Sequence, residues 1–237
     1  MTSSATPPVA AGTETVGEKQ QRLFGRGRDT GRIEYFSDAV FAIALTLLVL
    51  DLHVPEVTHP KTELIPALVQ LLPQFFAYVL SFVIIAINWL FHHRKFRAIV
   101  AYDTGLIWLN FAFLLFVALV PFPTSLLSQY GPEGRIAIVL YALEVAVLSL
   151  LQAVIWAYAR RHGLLAADID DKLFRFVQRN GLASPLVFLL SIPLALVLPD
   201  PTWAMWFWIL SWPASLIASR MGATRRVAVG EPGGLKD

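Results

Sequence analysis

The sequence predicts an all-α integral membrane protein with six transmembrane helices and both termini in the cytoplasm. Hydrophobic residues occupy 56% of the 237 positions and charged residues only 15%, whereas about 25% of the residues in a soluble domain are charged. The apolar residues fall into six segments, each close to the roughly 20 residues that cross a bilayer. Lys and Arg concentrate in alternate connecting segments, which indicates one consistent orientation.

The six apolar segments leave little chain for a soluble domain, so we expect one membrane domain. Their predicted bounds are 32–52, 64–90, 102–127, 135–158, 180–198 and 202–220. Residues 1–31 are expected to form a disordered cytoplasmic tail, 32–220 the six-helix domain and 221–237 a cytoplasmic C-terminal tail. Cysteine is absent from the chain, which excludes disulfides and thiol chemistry.

Local signals support several of these helices. Asp103 is suited to cap the start of the third helix, and prolines near its end indicate where it stops. Residues 168–179 place acids before bases, which suits a helix macrodipole and predicts a short interfacial helix before the fifth span. Three tryptophans at the start of the sixth span are typical of a membrane interface: Trp203, Trp206 and Trp208.

The distribution of basic residues predicts the orientation, because cytoplasmic segments of membrane proteins hold the excess of Lys and Arg. If both termini are cytoplasmic, 17 of the 19 basic residues lie on the inner side. The two exceptions are Lys61 and Arg135. All the alternate segments agree, which supports the count of six spans with both termini in the cytoplasm.

Polar side chains inside a bilayer are costly and are therefore functional candidates. Five of them are predicted to lie at one depth near the cytoplasmic ends of the first three helices: Asp38, Asn88, His92, His93 and Asn110. They could form a structural clasp around the Asp38 carboxylate, or a site that senses or carries protons. Adjacent histidines point about 100° apart on a helix, so His92 and His93 do not predict a metal site.

Glu144 is the one acidic residue predicted near the middle of the fourth span. It could pair with a neighbouring helix, for instance through Ser149 or Gln152 of another copy, or it could bind a coupling ion in a transporter. The sequence does not decide between these roles. The sequence contains no nucleophile, phosphate-loop or zinc motif, which disfavours an enzyme. It also lacks the TVGYG filter of ordinary potassium channels.

The first helix carries a narrow, mostly apolar stripe. At 100° per residue, five side chains fall within an arc of about 100°: Phe36, Ile43, Thr46, Leu47 and Leu50. We call these residues the first-helix stripe; Asp38 points away from it. The stripe is compatible with ordinary packing, or with apolar rings around a shared axis that gate by dewetting.

Three sequence runs carry a resemblance to a known family. The first helix opens with RIEYFSD from Arg32, which fits the pattern RxxxFSD, and continues as AVFAIALTLLVLDLHVP. The second helix contains AINWLFHHRKF and the third WLNFAFLLFVALVPFPTSLL. These runs resemble the transmembrane-protein-175 family of potassium channels, over roughly residues 32–127. Ala39 stands where that family commonly has Gly, which should affect packing more than conduction.

The resemblance implies a potassium-selective cation channel whose pore is lined by the first helix of an oligomer. It implies pore and gate positions at Ile43, Leu47 and Leu50, and a selectivity hydroxyl at Thr46. Residues that would hold the first helix in place match Arg32, Phe36, Ser37 and Asp38. Animal members carry two six-helix repeats and this chain has one, so a homotetramer of the bacterial type is implied.

The expected partners are therefore K⁺ as the permeant ion, the lipid bilayer and further copies of the chain. We expect neither a nucleic acid partner nor a cofactor, and no bound metal beyond permeating K⁺. The expected location is the plasma membrane. A proton- or cation-coupled secondary transporter using Glu144 or Asp38 is the alternative, and an accessory membrane protein is a third.

Overall fold

A computed structural model describes Thr15, Gly27 and residues 29–131 and 134–209. Within these residues the chain forms eight α-helices, and a 3-10 helix, Leu48–Asp51, extends the first of them. The helices are α1 (Gly31–Leu47), α2 (Pro60–Gln70), α3 (Leu72–Phe96), α4 (Thr104–Leu119), α5 (Pro121–Tyr130), α6 (Arg135–Arg161), α7 (Asp171–Val197) and α8 (Thr202–Ile209).

Five helical segments in the described residues are long and apolar enough to cross a membrane. They are Gly31–Asp51, Leu72–Phe96, Thr104–Tyr130, Arg135–Arg161 and Asp171–Val197. The predicted sixth span, 202–220, is described only as far as α8, and the rest of it lies outside the described residues. The two predicted cytoplasmic tails also lie largely outside them. The all-α membrane architecture is as predicted.

Two predicted boundaries are wrong. The second span does not begin at residue 64, because residues 60–70 form the separate helix α2 and α3 begins at Leu72 with Pro73 in its first turn. Proline favours a first helical turn, where its missing N–H has no partner to lose. The expected interfacial helix at 168–179 is not separate either: α7 runs unbroken from Asp171 to Val197.

The third span starts as expected and then divides. Asp103 caps α4, because its carboxylate accepts a hydrogen bond of 2.8 Å from the backbone N–H of Leu106. Helix α4 ends at Leu119, and α5 begins at Pro121. Proline cannot supply the N–H that would continue the ladder of α4, so the span continues in a second helical segment.

Helix α6 is the central element of the chain. It packs against α3, α4, α5 and α7, and a larger share of its span is buried than of the other candidate spans. One hydrophobic cluster joins its second half to α4 and α1, through residues such as Leu148, Phe113 and Phe41. Another joins its first half to α7 and α8, through residues such as Tyr141 and Trp208. Helix α1 therefore lies at the edge of the subunit, supported by α3 and α4.

Short backbone pairings tie the connections on the side assigned to the cytoplasm. Gly27, which precedes α1, pairs in antiparallel fashion with Tyr102 in the α3–α4 connection, and Ile99 in that connection pairs with Leu165 in the α6–α7 connection. A Cβ on Gly27 would lie 2.2 Å from the Tyr102 ring, so glycine is required for this close approach. The α3–α4 connection thus links the start of α1 to the α6–α7 connection.

Candidate functional site

Helix α1 has one buried face and one open face. Ser37, Phe41, Ala44 and Leu48 recur every three or four residues and are almost wholly buried against the rest of the subunit. The first-helix stripe lies on the roughly opposite side, and its members Ile43, Leu47 and Leu50 are 58%, 41% and 69% exposed in the single chain. These side chains are therefore available to face lipid or further copies of the protein.

Thr46 lies in the open face, and its hydroxyl is already used as a donor. Thr46 Oγ1 donates a hydrogen bond of 2.9 Å to the carbonyl oxygen of Ile43. Such bonds from Thr to the preceding turn are common in membrane helices. The bond uses the hydroxyl hydrogen and leaves oxygen lone pairs on an exposed side chain, which is the arrangement a cation or its water requires.

A buried hydrogen-bond network joins α1 to α3 and α4. Ser37 Oγ donates 2.8 Å to the carbonyl of Ile33, and its oxygen accepts 3.0 Å from Asn110 Nδ2. The amide oxygen of Asn110 therefore faces His92 Nε2 at 2.9 Å, and that nitrogen must carry the hydrogen because a carbonyl oxygen only accepts. The ring of His92 stacks on Phe96 and Phe113. We call this the Ser37–Asn110–His92 network.

The expected partners of Asp38 are wrong. Its carboxylate accepts a hydrogen bond of 2.7 Å from the indole Nε1 of Trp89, and among the described residues neither a histidine nor an amide forms a hydrogen bond with it. His93 reaches this pair only indirectly, by stacking on Trp89 with ring centroids 5.6 Å apart. The sequence pointed to Asp38 because of its charge, but the neighbouring Ser37 is the residue whose buried side chain holds α1.

The other predicted motif residues lie in two different places. Phe36 is 51% exposed and packs edge-on against Phe111 of α4, and the Arg32 side chain is exposed. Asn88 contacts α6 instead of α1. Its side chain donates to the backbone carbonyl of Ile84, and its backbone carbonyl accepts a hydrogen bond of 2.7 Å from Gln152 Nε2 of α6. The predicted single cluster is therefore divided into a contact with α1 and a contact with α6.

The sequence reasoning named Asn88 and His92 but missed Ser81 and Lys95, which share a polar face of α3 with them. Four buried residues of α3 are spaced by seven, four and three positions, which places them on one side of the helix: Ser81, Asn88, His92 and Lys95. Ser81 is hydrogen-bonded to Thr124 and Tyr141, and Lys95 Nζ donates 3.0 Å to the carbonyl of Gln152. The spacing of these residues was the signal that would have found them.

The end of the first-helix stripe carries an acid that was also missed. Asp51 closes the 3-10 helix directly after Leu50 and is half-buried. Its Oδ1 accepts 2.9 Å from the Ser125 hydroxyl of α5. A carboxylate is thus held at the opposite end of the stripe from the Ser37–Asn110–His92 network.

Comparison with known proteins identifies the family. Residues 32–121 match the model of a family described as endosomal/lysosomal potassium channel TMEM175. A potassium channel of Streptomyces collinus is 38% identical over 173 residues, which cover 71% of this chain and 84% of that protein. This chain belongs to the TMEM175 family. The resemblance seen in the first three predicted helices is thereby confirmed, and the expectation that the chain is not an enzyme agrees with a family of ion channels.

Further TMEM175 relatives agree in sequence and in fold. A potassium channel of Chamaesiphon minutus is 38% identical over 147 residues, covering 61% of this chain and 72% of that protein. The crystal structure of a lysosomal potassium-selective channel TMEM175 homolog from the same organism superposes with a TM-score of 0.68 at 31% identity, covering 80% of this chain and 97% of that one. An endosomal/lysosomal proton channel TMEM175 of Gallus gallus is 29% identical, and the match covers 31% of its length.

Proposed function

We propose that this TMEM175 family member forms a potassium-selective cation channel, with α1 of several copies around a central pore. The observation that carries the proposal is the open face of α1, where Ile43, Leu47 and Leu50 are exposed although the opposite face is packed. Bacterial relatives 38% identical to the chain are named potassium channels. A homotetramer would place the first-helix stripes of the four copies around a central axis, where this apolar surface no longer faces the lipid.

In this proposal, the apolar side chains of the first-helix stripe form successive constrictions. Leu47 lies one helical turn beyond Ile43, and Leu50 follows about 4.5 Å further along the axis at 1.5 Å per residue. Rings of such side chains exclude water when the pore is narrow, and an ion cannot cross without part of its hydration shell. The constrictions therefore set the barrier to conduction.

Thr46 supplies oxygen beside these constrictions. Four copies would place four hydroxyl oxygens around the axis, each with its hydrogen directed to Ile43. The lone pairs could then contact K⁺ or the water bound to it. K⁺ rearranges its hydration more readily than the smaller Na⁺, so a few weak oxygen ligands at a dry constriction favour K⁺.

We also infer six membrane spans with both termini in the cytoplasm of the plasma membrane. This topology places 17 of 19 basic residues inside. Arg135, one of the two exceptions, has a local reason to lie outside, because its guanidinium caps the end of α7. It donates to four backbone carbonyls at distances of 2.8–3.1 Å: those of Ala195, Leu196, Leu198 and Pro199.

Single-channel recording tests this function. Purified protein in planar bilayers should give unitary K⁺ currents, and Leu47→Ser should change their conductance because it wets one constriction. Leu190→Ser is the matched control, since Leu190 is an exposed leucine of α7, away from α1. Flux without unitary steps would support the transporter alternative, and equal currents in wild type and Leu47→Ser would reject the first-helix stripe as the pore.

Cross-linking tests the assembly independently. The chain lacks cysteine, so a single introduced thiol can react only with the same position in another copy. Leu50→Cys should give disulfide-linked dimers under oxidation if α1 surrounds an axis. Leu190→Cys should give fewer disulfide-linked dimers. Cross-linking that is equal at the two positions would contradict the arrangement.

A further inference from the structure

Glu144 is an acidic residue deep within α6. It lies about 14 Å along the helix axis from Arg135, at 1.5 Å per residue, inside a candidate membrane span. Only 7% of the residue is exposed, and its Oε1 atom is buried without a hydrogen-bond partner. Among the described residues, none forms a hydrogen bond or ion pair with this carboxyl group. Within the part of the subunit that the structure describes, the structural clasp considered from the sequence therefore has no partner.

The charged groups that neighbouring helices bring to α6 lie elsewhere along it. Lys95 of α3 contacts the carbonyl of Gln152, about 12 Å further along the axis. Asp103, at the start of α4, accepts a hydrogen bond from Tyr158, and Asp171, at the start of α7, pairs with Arg160. The other charged residues of α7 lie within its first nine positions: Lys172, Arg175 and Arg179. Helix α5 and the described part of α8 contain no charged residue.

A buried ionised carboxylate is stable only with a counter-charge or hydrogen-bond donors, and otherwise it takes up a proton. The described surroundings of Glu144 offer neither. We propose that Glu144 is a proton-binding site in the interior of each subunit, separate from the first-helix stripe, where the carboxyl group is uncharged at neutral pH.

The position of Glu144 gives this site a route to the pore. Helix α6 packs on α4, and α4 packs on α1. Leu148, one turn from Glu144, shares a hydrophobic cluster with Phe113 of α4 and Phe41 of α1. Loss of the proton would place a charge next to the layer that supports α1. Proton binding at Glu144 therefore makes K⁺ conduction dependent on pH; this consequence rests on the proposed channel function, whereas the proton site itself does not.

Infrared difference spectroscopy tests the site without reference to transport. Subtracting the spectrum of Glu144→Gln from that of the wild type at neutral pH should reveal the C=O stretch of one protonated carboxylic acid. Glu63→Gln is the matched control and should reveal only carboxylate bands, because the backbone N–H of His59 holds the pKa of the exposed Glu63 below its ordinary value. Loss of carboxylate bands alone in Glu144→Gln would overturn the proposal and indicate a bound cation or a partner from another copy.

Stability gives a second measurement if Glu144→Gln folds poorly. Glu144→Met cannot ionise and keeps a similar length, so its melting temperature should stay level as the pH rises, apart from changes shared with the wild type. The wild type should lose stability relative to it on the alkaline side, as the acid band disappears. Parallel melting curves for the two proteins across the pH range would contradict the proton site.

Potassium flux into liposomes tests the functional consequence. Wild-type flux should change over the pH range in which the acid band disappears, and Glu144→Gln flux should not. A proton site confirmed by infrared spectroscopy with unchanged wild-type flux would reject only the coupling to conduction. Absence of K⁺ flux in every protein would instead count against the proposed channel function.

Discussion

At the residue scale, the most informative side chains are those whose hydrogen bonds direct the remaining atoms. Thr46 uses its hydrogen within α1 and so presents only oxygen to the open face. Asn110 donates to Ser37 with its amide nitrogen and turns its oxygen to His92. In both cases one bond determines the chemistry that the side chain offers to its next neighbour.

Thr46→Val should reduce the discrimination of K⁺ over Na⁺, because valine keeps the shape of the side chain and removes its oxygen. The measurement is the reversal potential with K⁺ on one side of the bilayer and Na⁺ on the other, which should move toward zero. Thr46→Ser is the control that restores the hydroxyl, and its reversal potential should stay near that of wild type. An unchanged value in Thr46→Val would leave selectivity to the apolar rings alone.

Asn110→Ala should destabilise the protein more than Asp38→Ala. Removing the Asn110 amide leaves the buried Nε2–H of His92 without an acceptor, at about 1–3 kcal/mol for an unsatisfied buried group. It also removes a donor from Ser37, which keeps its bond to the Ile33 carbonyl. The bond between Asp38 and Trp89 is exposed, so water can replace it at lower cost. Melting temperatures of the purified variants compare the two, and a larger loss in Asp38→Ala would show that Asp38 is the main support of α1.

At the element scale, helix ends and breaks determine the positions of the spans. Prolines lie in the first turn of α3 and of α5, and α7 continues through Pro185 and Pro193. Neighbouring helices allow such prolines in a membrane protein by satisfying the freed carbonyls. Helix α7 ends where Arg135 donates hydrogen bonds to four backbone carbonyl oxygens. Local sequence and tertiary contacts therefore act together at each boundary.

Arg135→Ala should destabilise the end of α7, because four carbonyl oxygens lose a charged donor. Hydrogen bonds to charged groups contribute about 1.5–3 kcal/mol each. The total is smaller than four such bonds, because Nη1 shares two hydrogens among three carbonyls and Arg135 is partly exposed to water. Arg135→Lys keeps the charge but lacks the planar fork, so its loss should be intermediate. Thermal melting and limited proteolysis after Val197 measure the effect; equal stability in all three proteins would mean that water replaces the cap.

The 3-10 helix after α1 ends at Asp51, whose carboxylate we expect to affect K⁺ conductance. A ring of Asp51 carboxylates at the outer end of the pore would raise the local concentration of K⁺. Asp51→Asn should lower inward K⁺ conductance at low ionic strength, and the difference should shrink in high salt, where the Debye length falls to about 3 Å. Ser125→Ala removes the hydrogen bond and keeps the charge, so its conductance should match wild type. A salt-independent effect of Asp51→Asn would indicate a structural role instead.

At the scale of the whole molecule, α6 organises the subunit and α1 remains at its edge. This arrangement leaves the first-helix stripe available for contact between copies, while the polar face of α3 is directed inward toward α4 and α6. A central pore and an interior proton site are therefore compatible, because they use opposite sides of the layer formed by α3 and α4.

The proposed topology predicts opposite accessibility for two connections. In intact cells, an impermeant thiol reagent should label Thr58→Cys, between α1 and α2, but not Arg97→Cys, at the end of α3. Both residues are exposed in the subunit, so the membrane alone should decide the difference. Permeabilising the cells should make Arg97→Cys reactive, and labelling of Arg97→Cys alone before that step would invert the orientation.

The sequence by itself determined the membrane class, the approximate positions of the five described spans, the Asp103 cap and the family, because these depend on hydropathy, local propensity and motif runs along the chain. It also placed Asp38, His92 and Asn110 at one depth, since depth follows from position along a helix. Which of these groups form hydrogen bonds was decided only by the tertiary structure, because it depends on how each helix is rotated about its axis. The pairs that form are Asn110 with Ser37, Trp89 with Asp38 and Gln152 with Asn88. The sequence also did not reveal that the Glu144 carboxyl group has no hydrogen-bond or ion-pair partner among the described residues, because this depends on which groups the neighbouring helices bring within reach.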